Sequence, residues 1–255
     1  METAKLSLPI SFDELPTAKR VGLVVLGTCN STEPDFHRLV SSPRVGIFAA
    51  RVAYDNPTTP ANLRNILPKL SDASSLILQG EQVDVICFSC TSASVVIGDD
   101  EVSRAIKVSK PEAAVVTPTI AALSAFVALG VGSIDILTPY NREVSVLVAD
   151  YFDSRRCRVN QLAYLDLDDD REMARISHKS IVEAAVRSAS QSADALFISC
   201  TALRSAAVAA EIEQRIGKPV VTSNLATTWM TRGILGEQGS SCDARLCAQP
   251  FPKRE

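Results

Sequence analysis

Two cysteines, Cys90 and Cys200, occupy equivalent places in two short stretches of this 255-residue chain. The first stretch reads DVICFSCTSAS from Asp84, and the second reads DALFISCTALR from Asp194. Each is an apolar run typical of a buried strand, ends in Ser-Cys-Thr, and precedes a helical pattern. Because α/β proteins build their sites at the carboxyl ends of parallel strands, the spacing predicts one site cysteine in each half of the molecule.

A thiol ionises near a pKa of about 8.5, and a helix amino terminus lowers that value. We predict helices over 95–106 and 203–216, just after the cysteines, so a lowered pKa is expected for both thiols. Amides at such helix starts can also bind a carboxylate. The neighbouring hydroxyls would add donors to a substrate, and they belong to Thr91, Ser92 and Thr201.

A facing pair of cysteines suits two reactions on a small substrate. In one, a thiolate removes an α-proton and the opposite thiol returns a proton to the other face. In the other, a thiolate adds to a polarised double bond while the second thiol handles protons. Neither reaction needs a metal or nicotinamide, so no cofactor is expected. The alternative is that both cysteines are ordinary core residues, as free cysteines often are.

An internal repeat extends beyond the cysteines at the same offset of 110 residues. It pairs two polar loops, each just after an apolar run, and predicts that Asn30 and Tyr140 occupy equivalent positions. Their amide and phenol groups could orient carboxylates or a polar ring, although loop caps use the same residue types. Ser223 and Asn224, at the end of the last predicted strand, are weaker candidates.

Strands alternating with helices predict an α/β fold of two lobes related by a pseudo-twofold axis, each a parallel four-stranded sheet flanked by helices. The site is expected between the lobes. We predict one lobe from 1–118 plus 224–255 and the other from 119–223, because the last helix should pack back on the first lobe. The predicted strands are 21–26, 45–53, 84–89, 114–117, 134–137, 158–165, 195–199 and 219–222, and the longer helices include 60–79, 172–190 and 225–235.

Composition argues against several classes of function. The net charge is −3 without a basic stripe, so nucleic acid is not an expected partner. The sequence contains no uncharged apolar run of about 18 residues, so no membrane span is predicted. The first 20 residues lack the apolar core of a signal peptide, so a cytoplasmic protein is expected.

Metal binding and disulfides are also not expected. The seven cysteines have irregular spacing, and Cys87-x-x-Cys90 has no second pair or nearby histidine. Cys87 is therefore interpreted as a core residue. His37 and His178 lie beside charged residues in predicted helices and are interpreted as surface residues. The acidic run Asp166 to Asp170 could bind a cation, but a solvated loop is the favoured interpretation.

Several longer segments resemble the Asp/Glu racemase superfamily, within the branch that holds maleate cis-trans isomerase, arylmalonate decarboxylase and the ectoine-utilisation (EutA) family. The closest resemblance is to the EutA family and covers about residues 20 to 236. It rests on both Ser-Cys-Thr segments, a Thr-Pro-Tyr at 138–140, NPTTPANLR (56–64), CFSCTSASVVIGD (87–99), DDREMARI (169–176) and PVVTSNLATTW (219–229).

The resemblance implies a cofactor-independent isomerase or racemase of a small carboxylate, acting in ectoine or hydroxyectoine degradation as a homo-oligomer, either dimer or tetramer. It implies that Cys90 is the nucleophile, that Cys200 handles protons, and that Asn30 and Tyr140 bind substrate. A maleate cis-trans isomerase and a non-catalytic small-acid-binding protein are the alternatives. The loop from Gly27 to Thr32 departs from the Pro-Ser-Ser-Asn-Thr-Thr of maleate isomerases, and their second-lobe asparagine has no clear match at 166–170.

Overall fold

The strands of the molecule form two parallel sheets of the same topology. A computed structural model of the chain describes residues 1–237 and 242–251. The first sheet has the order β2-β1-β3-β4 and contains β1 (Lys19–Leu26), β2 (Val45–Val52), β3 (Val85–Ser89) and β4 (Ala114–Val116). The second has the order β6-β5-β7-β8 and contains β5 (Ser133–Tyr140), β6 (Arg158–Leu167), β7 (Ala195–Ile198) and β8 (Val220–Thr222). The predicted fold of two parallel four-stranded sheets flanked by helices is confirmed.

Helices follow most strands, and side chains at the strand ends cap several of them. Thr117 directly follows β4, and Thr222 is the last residue of β8. The side chain of each accepts a hydrogen bond from a backbone amide in the first turn of the next helix. The α-helices are α1 (Thr32–Leu39), α2 (Pro60–Arg64), α3 (Leu70–Ser75), α4 (Thr91–Ile97), α5 (Asp99–Lys107), α6 (Pro118–Leu129), α7 (Arg142–Asp153), α8 (Asp170–Met173), α9 (His178–Ser188), α10 (Ala209–Ile216) and α11 (Ser223–Leu235).

Several helices that the sequence predicts as continuous are broken. Instead of one helix over 60–79, the structure has α2, a 3-10 turn at Leu67–Lys69 and then α3. Pro68 has no amide hydrogen to donate, so a continuous α-helix is interrupted there. The segment 95–106 is divided between α4 and α5 at Gly98, whose φ of 96° is a glycine conformation. The segment 172–190 is divided because Ser177 caps a new helix, α9. The strand β5 extends to Tyr140, beyond the predicted end at 137.

The helices that follow β4 and β8 connect the two halves. Phe126 of α6 packs edge-to-face on Phe152 of α7 and Phe197 of β7, with ring centroids 5.7 and 5.8 Å apart. In return, α11 contacts α1, β3 and β4 in the first half of the chain, as well as α6. The last helix therefore packs against the first half of the chain, as the sequence analysis expected. The lobe boundaries 1–118 plus 224–255 and 119–223 remain a prediction.

A buried carboxylate at the start of α5 also joins the halves. Asp99 is 8% exposed and accepts hydrogen bonds from Thr117 at 2.5 Å, from Thr119, and from the Tyr151 hydroxyl of α7 at 2.5 Å. Each bond is charge-assisted and shielded from water, which strengthens it. We therefore expect this cluster to hold α7 of the second half against α5 and α6.

The described part of the carboxyl-terminal tail packs on α11. The Trp229 indole donates a hydrogen bond to the carbonyl of Gln249 at 2.9 Å, and its ring contacts Phe251. A 3-10 turn at Arg245–Ala248 directly precedes Gln249. Residues 238–241 and 252–255 of the tail lie outside the described residues. Among the helices of residues 1–237 and 242–251, none has the length and apolar character that spanning a bilayer requires.

Candidate active site

Cys90 lies where β3 passes into α4. Every residue of β3 is buried, and Cys90 is 5% exposed. Its extended backbone places it as the residue that caps α4, and its carbonyl accepts hydrogen bonds from the Ser94 amide and hydroxyl. The Ser92 hydroxyl lies 3.5 Å from the Cys90 sulfur. The sequence prediction of a cysteine at a strand-to-helix turn is therefore correct for this half.

Cys200 lies at the end of β7, in a different local structure. Its φ is 105°, a left-handed conformation that side chains with a Cβ adopt at a cost of about 1–3 kcal/mol. No α-helix starts directly after Cys200. A 3-10 turn at Arg204–Ala207 and then α10 take the place of the predicted helix 203–216. The Ala202 amide donates to the Cys200 sulfur at 3.3 Å. The surrounding structure therefore holds this thiol in a strained position.

Side chains of the second half bond to the cysteine segment of the first half. Ser223 accepts a hydrogen bond from the Thr91 hydroxyl at 2.8 Å and another from the Cys200 amide at 3.1 Å. The Thr201 hydroxyl donates to the carbonyl of Ser89 at 3.1 Å. The ends of β3 and β7 are thus bound together, so the two cysteines belong to one polar cluster between the sheets.

The predicted substrate-binding residues fall into two groups. Tyr140 is 2% exposed and hydrogen-bonds to the Cys200 sulfur, while Ser92 contacts Cys90. By contrast, the hydroxyls of Thr91 and Thr201 donate to protein acceptors, so they hold the cysteine segments together. Asn30 is exposed, and its amide donates to the carbonyl of Thr28 at 2.9 Å, as a loop cap does. Substrate binding by these five residues remains a prediction.

The acidic loop contributes a buried carboxyl group that the sequence reasoning placed in solvent. Asp170 is 7% exposed and accepts a hydrogen bond from the Thr28 hydroxyl at 2.6 Å. Its amide donates to the side-chain oxygen of Asn56 at 3.2 Å, and its charge raises the pKa of both Cys90 and Cys200. The interpretation of the whole run as a solvated loop is wrong for this residue, because Asp169 caps α8 and turns the next side chain inward.

Burial controls the ionisation of both cysteines. It raises the pKa of Cys90 to about 12, and the hydrogen bonds from Ser92 and the Ala93 amide offset only part of that rise. Burial also raises the pKa of Cys200, in spite of hydrogen bonds from Tyr140 and two amides. The expected lowering at helix starts is therefore wrong, since desolvation disfavours a thiolate more than a few amides stabilise it. Both thiols are protonated in the ligand-free protein.

Cys242 should react with iodoacetamide before either site cysteine. Its pKa is lowered to about 7, mainly by its hydrogen bond with Cys247, and only the thiolate is nucleophilic. At pH 7.5 we expect Cys242 to be alkylated at least tenfold faster than Cys90 or Cys200, which are buried and protonated. Mass spectrometry of peptides over a time course measures the order. Faster labelling of Cys90 would contradict the burial of its thiol.

The other interpreted residues are placed as follows. Cys87 is fully buried and its sulfur lies 3.1 Å from the Thr231 hydroxyl, so its interpretation as a core residue is confirmed. His37 and His178 are exposed, as predicted. Asn224 is buried and donates to Asp35 and to the carbonyl of Thr201, which makes it a support for the second cysteine segment. Over the described ranges, no group of three metal-ligating side chains is found.

Three site residues were missed by the sequence reasoning: Thr28, Tyr54 and Asp170. Tyr54 is half-buried and donates to the Thr58 hydroxyl at 2.8 Å. Its pKa is raised mainly by burial and further by the neighbouring acidic groups Cys90, Asp170 and Cys200. Thr28 could have been identified from the sequence, because it belongs to the internal repeat. Tyr54 and Asp170 have no equivalent residue in that repeat. Only contacts between distant segments bring these two residues to the cysteines.

The fold and the polar cluster around Cys90 and Cys200 define a class of α/β protein. Proteins of this class have two similar parallel sheets, with one site cysteine at the end of a strand in each. Residues 39–246 match the model of the arylmalonate decarboxylase family, and the chain belongs to this family. It is 25% identical to the maleate isomerase of Alcaligenes faecalis over 65% of this chain and 69% of that protein.

Solved structures show the same fold. A mutant of maleate cis-trans isomerase from Nocardia farcinica with a covalently bound succinylcysteine intermediate has a TM-score of 0.80 at 21% identity, covering 90% of this chain and 98% of that one. A liganded double mutant of arylmalonate decarboxylase has a TM-score of 0.80 at 23% identity, covering 89% of this chain and 98% of that one.

Proposed function

We propose that the protein is a cofactor-independent isomerase or racemase of a small carboxylate and that Cys90 and Cys200 carry the reaction. The observation that supports this most strongly is the pair of buried cysteines at the ends of β3 and β7, joined through Ser223. Two structural cysteines would not require the strained backbone of Cys200. Membership of a family that contains maleate isomerases supports the same reaction class.

As a racemase, the protein would exchange protons across the substrate. One cysteine, as thiolate, takes the α-proton, and the electron pair left on the α-carbon is delocalised into the carboxylate. The thiol of the other cysteine then gives its proton to the opposite face. The substrate is inverted, and the two cysteines have exchanged protonation states. Tyr140, bonded to Cys200, would stabilise the thiolate form of that residue.

As a maleate cis-trans isomerase, the second candidate, the protein would use the same residues differently. The Cys90 thiolate adds to one alkene carbon, and the other carbon takes a proton from the Cys200 thiol. Rotation about the resulting single bond is followed by return of that proton to Cys200 and cleavage of the carbon–sulfur bond. The succinylcysteine in the mutant isomerase from Nocardia farcinica is a covalent adduct of this kind in that protein.

The finer assignment that we propose is a role in ectoine or hydroxyectoine breakdown, which rests on the sequence motifs alone. The relatives named as maleate isomerases support the maleate reaction equally well. Action in the cytoplasm as a homo-oligomer is part of the same proposal. A non-catalytic small-acid-binding protein remains the competing class, because both thiols are protonated without ligand.

Proton NMR in deuterated water tests the proposal on the wild-type protein. The panel is maleate, aspartate, glutamate, ectoine, hydroxyectoine and the ring-opened products of the last two. We expect deuterium to enter an α-carbon of one compound, or maleate to become fumarate, because either reaction exchanges substrate protons with cysteine thiols.

Each outcome has a clear meaning. Incorporation of deuterium into an ectoine product supports the finer assignment, and formation of fumarate supports the maleate reaction. No turnover of any compound, together with a rise in melting temperature when one of them is added, would refute the enzyme and favour a binding protein.

A further inference from the structure

We propose that Asp170 makes the site selective for a carboxylate substrate that also carries an ammonium group, and that it disfavours dicarboxylates. The inference deepens the proposed function and rests on Cys90 and Cys200 forming the site. It starts from the position of Asp170, whose carboxyl group is buried and bonded to Thr28. Thr28 lies in the loop whose Ser31 and Thr32 hydroxyls bond to Thr201 and Ser89, the neighbours of the two cysteines.

Within the part of the chain that the structure describes, no basic side chain pairs with this carboxyl group. In the described ranges, the hydrogen bonds of Asp170 involve Thr28 and Asn56, and no lysine or arginine pairs with it. The nearest arginine in sequence, Arg171, is exposed and pairs with Asp169. Arg51, which donates to the carbonyl of Cys29, pairs with Glu33. A buried carboxylate without a cationic partner is unfavourable, and burial accordingly raises the pKa of Asp170. A ligand that supplies a positive charge would stabilise its ionised form.

The remaining ionisable groups of the cluster are also acidic or neutral. Within residues 1–237 and 242–251, the ionisable groups that interact most strongly with the two thiols are Asp170, Cys29 and the phenols Tyr54 and Tyr140. A dicarboxylate would bring two negative charges to this set, and one of them would lie near the carboxyl group of Asp170. An ammonium group would instead pair with it, and this pairing gains strength from the exclusion of water.

The same charge balance would assist the chemistry. A thiolate at Cys90 or Cys200 is disfavoured in the ligand-free protein by burial and by the Asp170 charge. An ammonium group on the bound substrate offsets both, because an opposite charge within about 4–6 Å favours the ionised form of a neighbouring acid. The thiolate would therefore form mainly when a substrate of the right charge is bound, which ties activation to selectivity.

Two ligands of matched shape and different charge test the proposal. Maleate and cis-4-aminobut-2-enoate share the cis double bond and one carboxylate, but the second carries an aminomethyl group in place of the other carboxylate. Calorimetry measures the affinity of both for the wild type, Asp170→Asn and Asp166→Asn. Asparagine at 170 keeps the shape and can accept the Thr28 bond. Asp166 is an exposed residue near the end of β6, four positions before Asp170, and its φ of 59° is one that asparagine tolerates.

We expect the wild type and Asp166→Asn to bind the amino compound more tightly than maleate. In Asp170→Asn the amino compound should lose roughly 30-fold in affinity while maleate gains, since one partner of a buried charge pair has been removed. Failure of the wild type to bind the amino compound, or an unchanged ratio of the two affinities in Asp170→Asn, overturns the proposal. Circular dichroism confirms that each variant is folded.

Turnover of the same ligands separates this proposal from the proposed function. A charge preference that depends on Asp170, with no turnover of either ligand or of any compound in the NMR panel above, would uphold the selectivity and refute the enzyme. Exchange or isomerisation with equal preference for both ligands would uphold the enzyme and refute the role of Asp170.

Discussion

Cys90→Ser and Cys200→Ser should each lower turnover by roughly 10²–10⁴-fold, the usual contribution of a positioned acid or base. A serine hydroxyl has nearly the shape of the thiol but is a far weaker acid, so the site is kept while proton transfer is lost. Both residues are buried beside polar partners that a hydroxyl can also bond, Ser92 for Cys90 and the Ala202 amide for Cys200. The rate of deuterium incorporation or isomerisation of the identified substrate measures the effect.

Cys87→Ser is the matched control, because it makes the same substitution in β3, three residues before Cys90. Cys87 is buried in β3 and contacts Thr231, away from the polar cluster, and a serine hydroxyl can keep that contact. The control should retain turnover within about threefold, as substitutions outside the reacting groups usually do. Turnover that survives in Cys90→Ser at the level of this control would remove Cys90 from the mechanism.

Asp99→Ala should lower the free energy of unfolding by about 3–5 kcal/mol, because each buried hydroxyl left without its partner costs about 1–3 kcal/mol. The substitution removes the acceptor of three hydrogen bonds and leaves the hydroxyls of Thr117, Thr119 and Tyr151 without that partner. Because Tyr151 lies on α7 and Asp99 on α5, the loss also loosens the contact between the two halves. Urea denaturation followed by circular dichroism measures the change.

Asp100→Ala is the control for Asp99, since it removes a carboxylate from the next position of the same helix. Asp100 is exposed and should change the free energy of unfolding by less than about 0.5 kcal/mol, apart from a small helix-dipole effect. A loss below about 1 kcal/mol in Asp99→Ala would mean that water or rearranged hydroxyls replace the carboxylate.

The fold class and the cysteine pair could be predicted from the sequence because both depend on short-range patterns. An apolar run such as 85–89 or 195–198 is buried on both faces in a parallel sheet, so it is recognisable without its neighbours. The repeat of Ser-Cys-Thr at Cys90 and Cys200 then predicted that two equivalent strands end at the same kind of edge. Helix boundaries were less predictable, as in the predicted helix 172–190, where the side chain of Ser177 caps a separate helix, α9.

Asp170 could not be assigned to the site from the sequence, because its contact with Thr28 joins residues 142 positions apart. Nothing in the acidic run distinguishes it from its exposed neighbour Asp168. The ionisation of the cysteines was likewise decided by tertiary structure, since a helix start lowers a thiol pKa only if the thiol is not fully desolvated. The sequence by itself determined which residue types stand at the strand ends, and the packing of the two halves determined their charge environment, because burial and electrostatic interactions depend on every segment that surrounds a group.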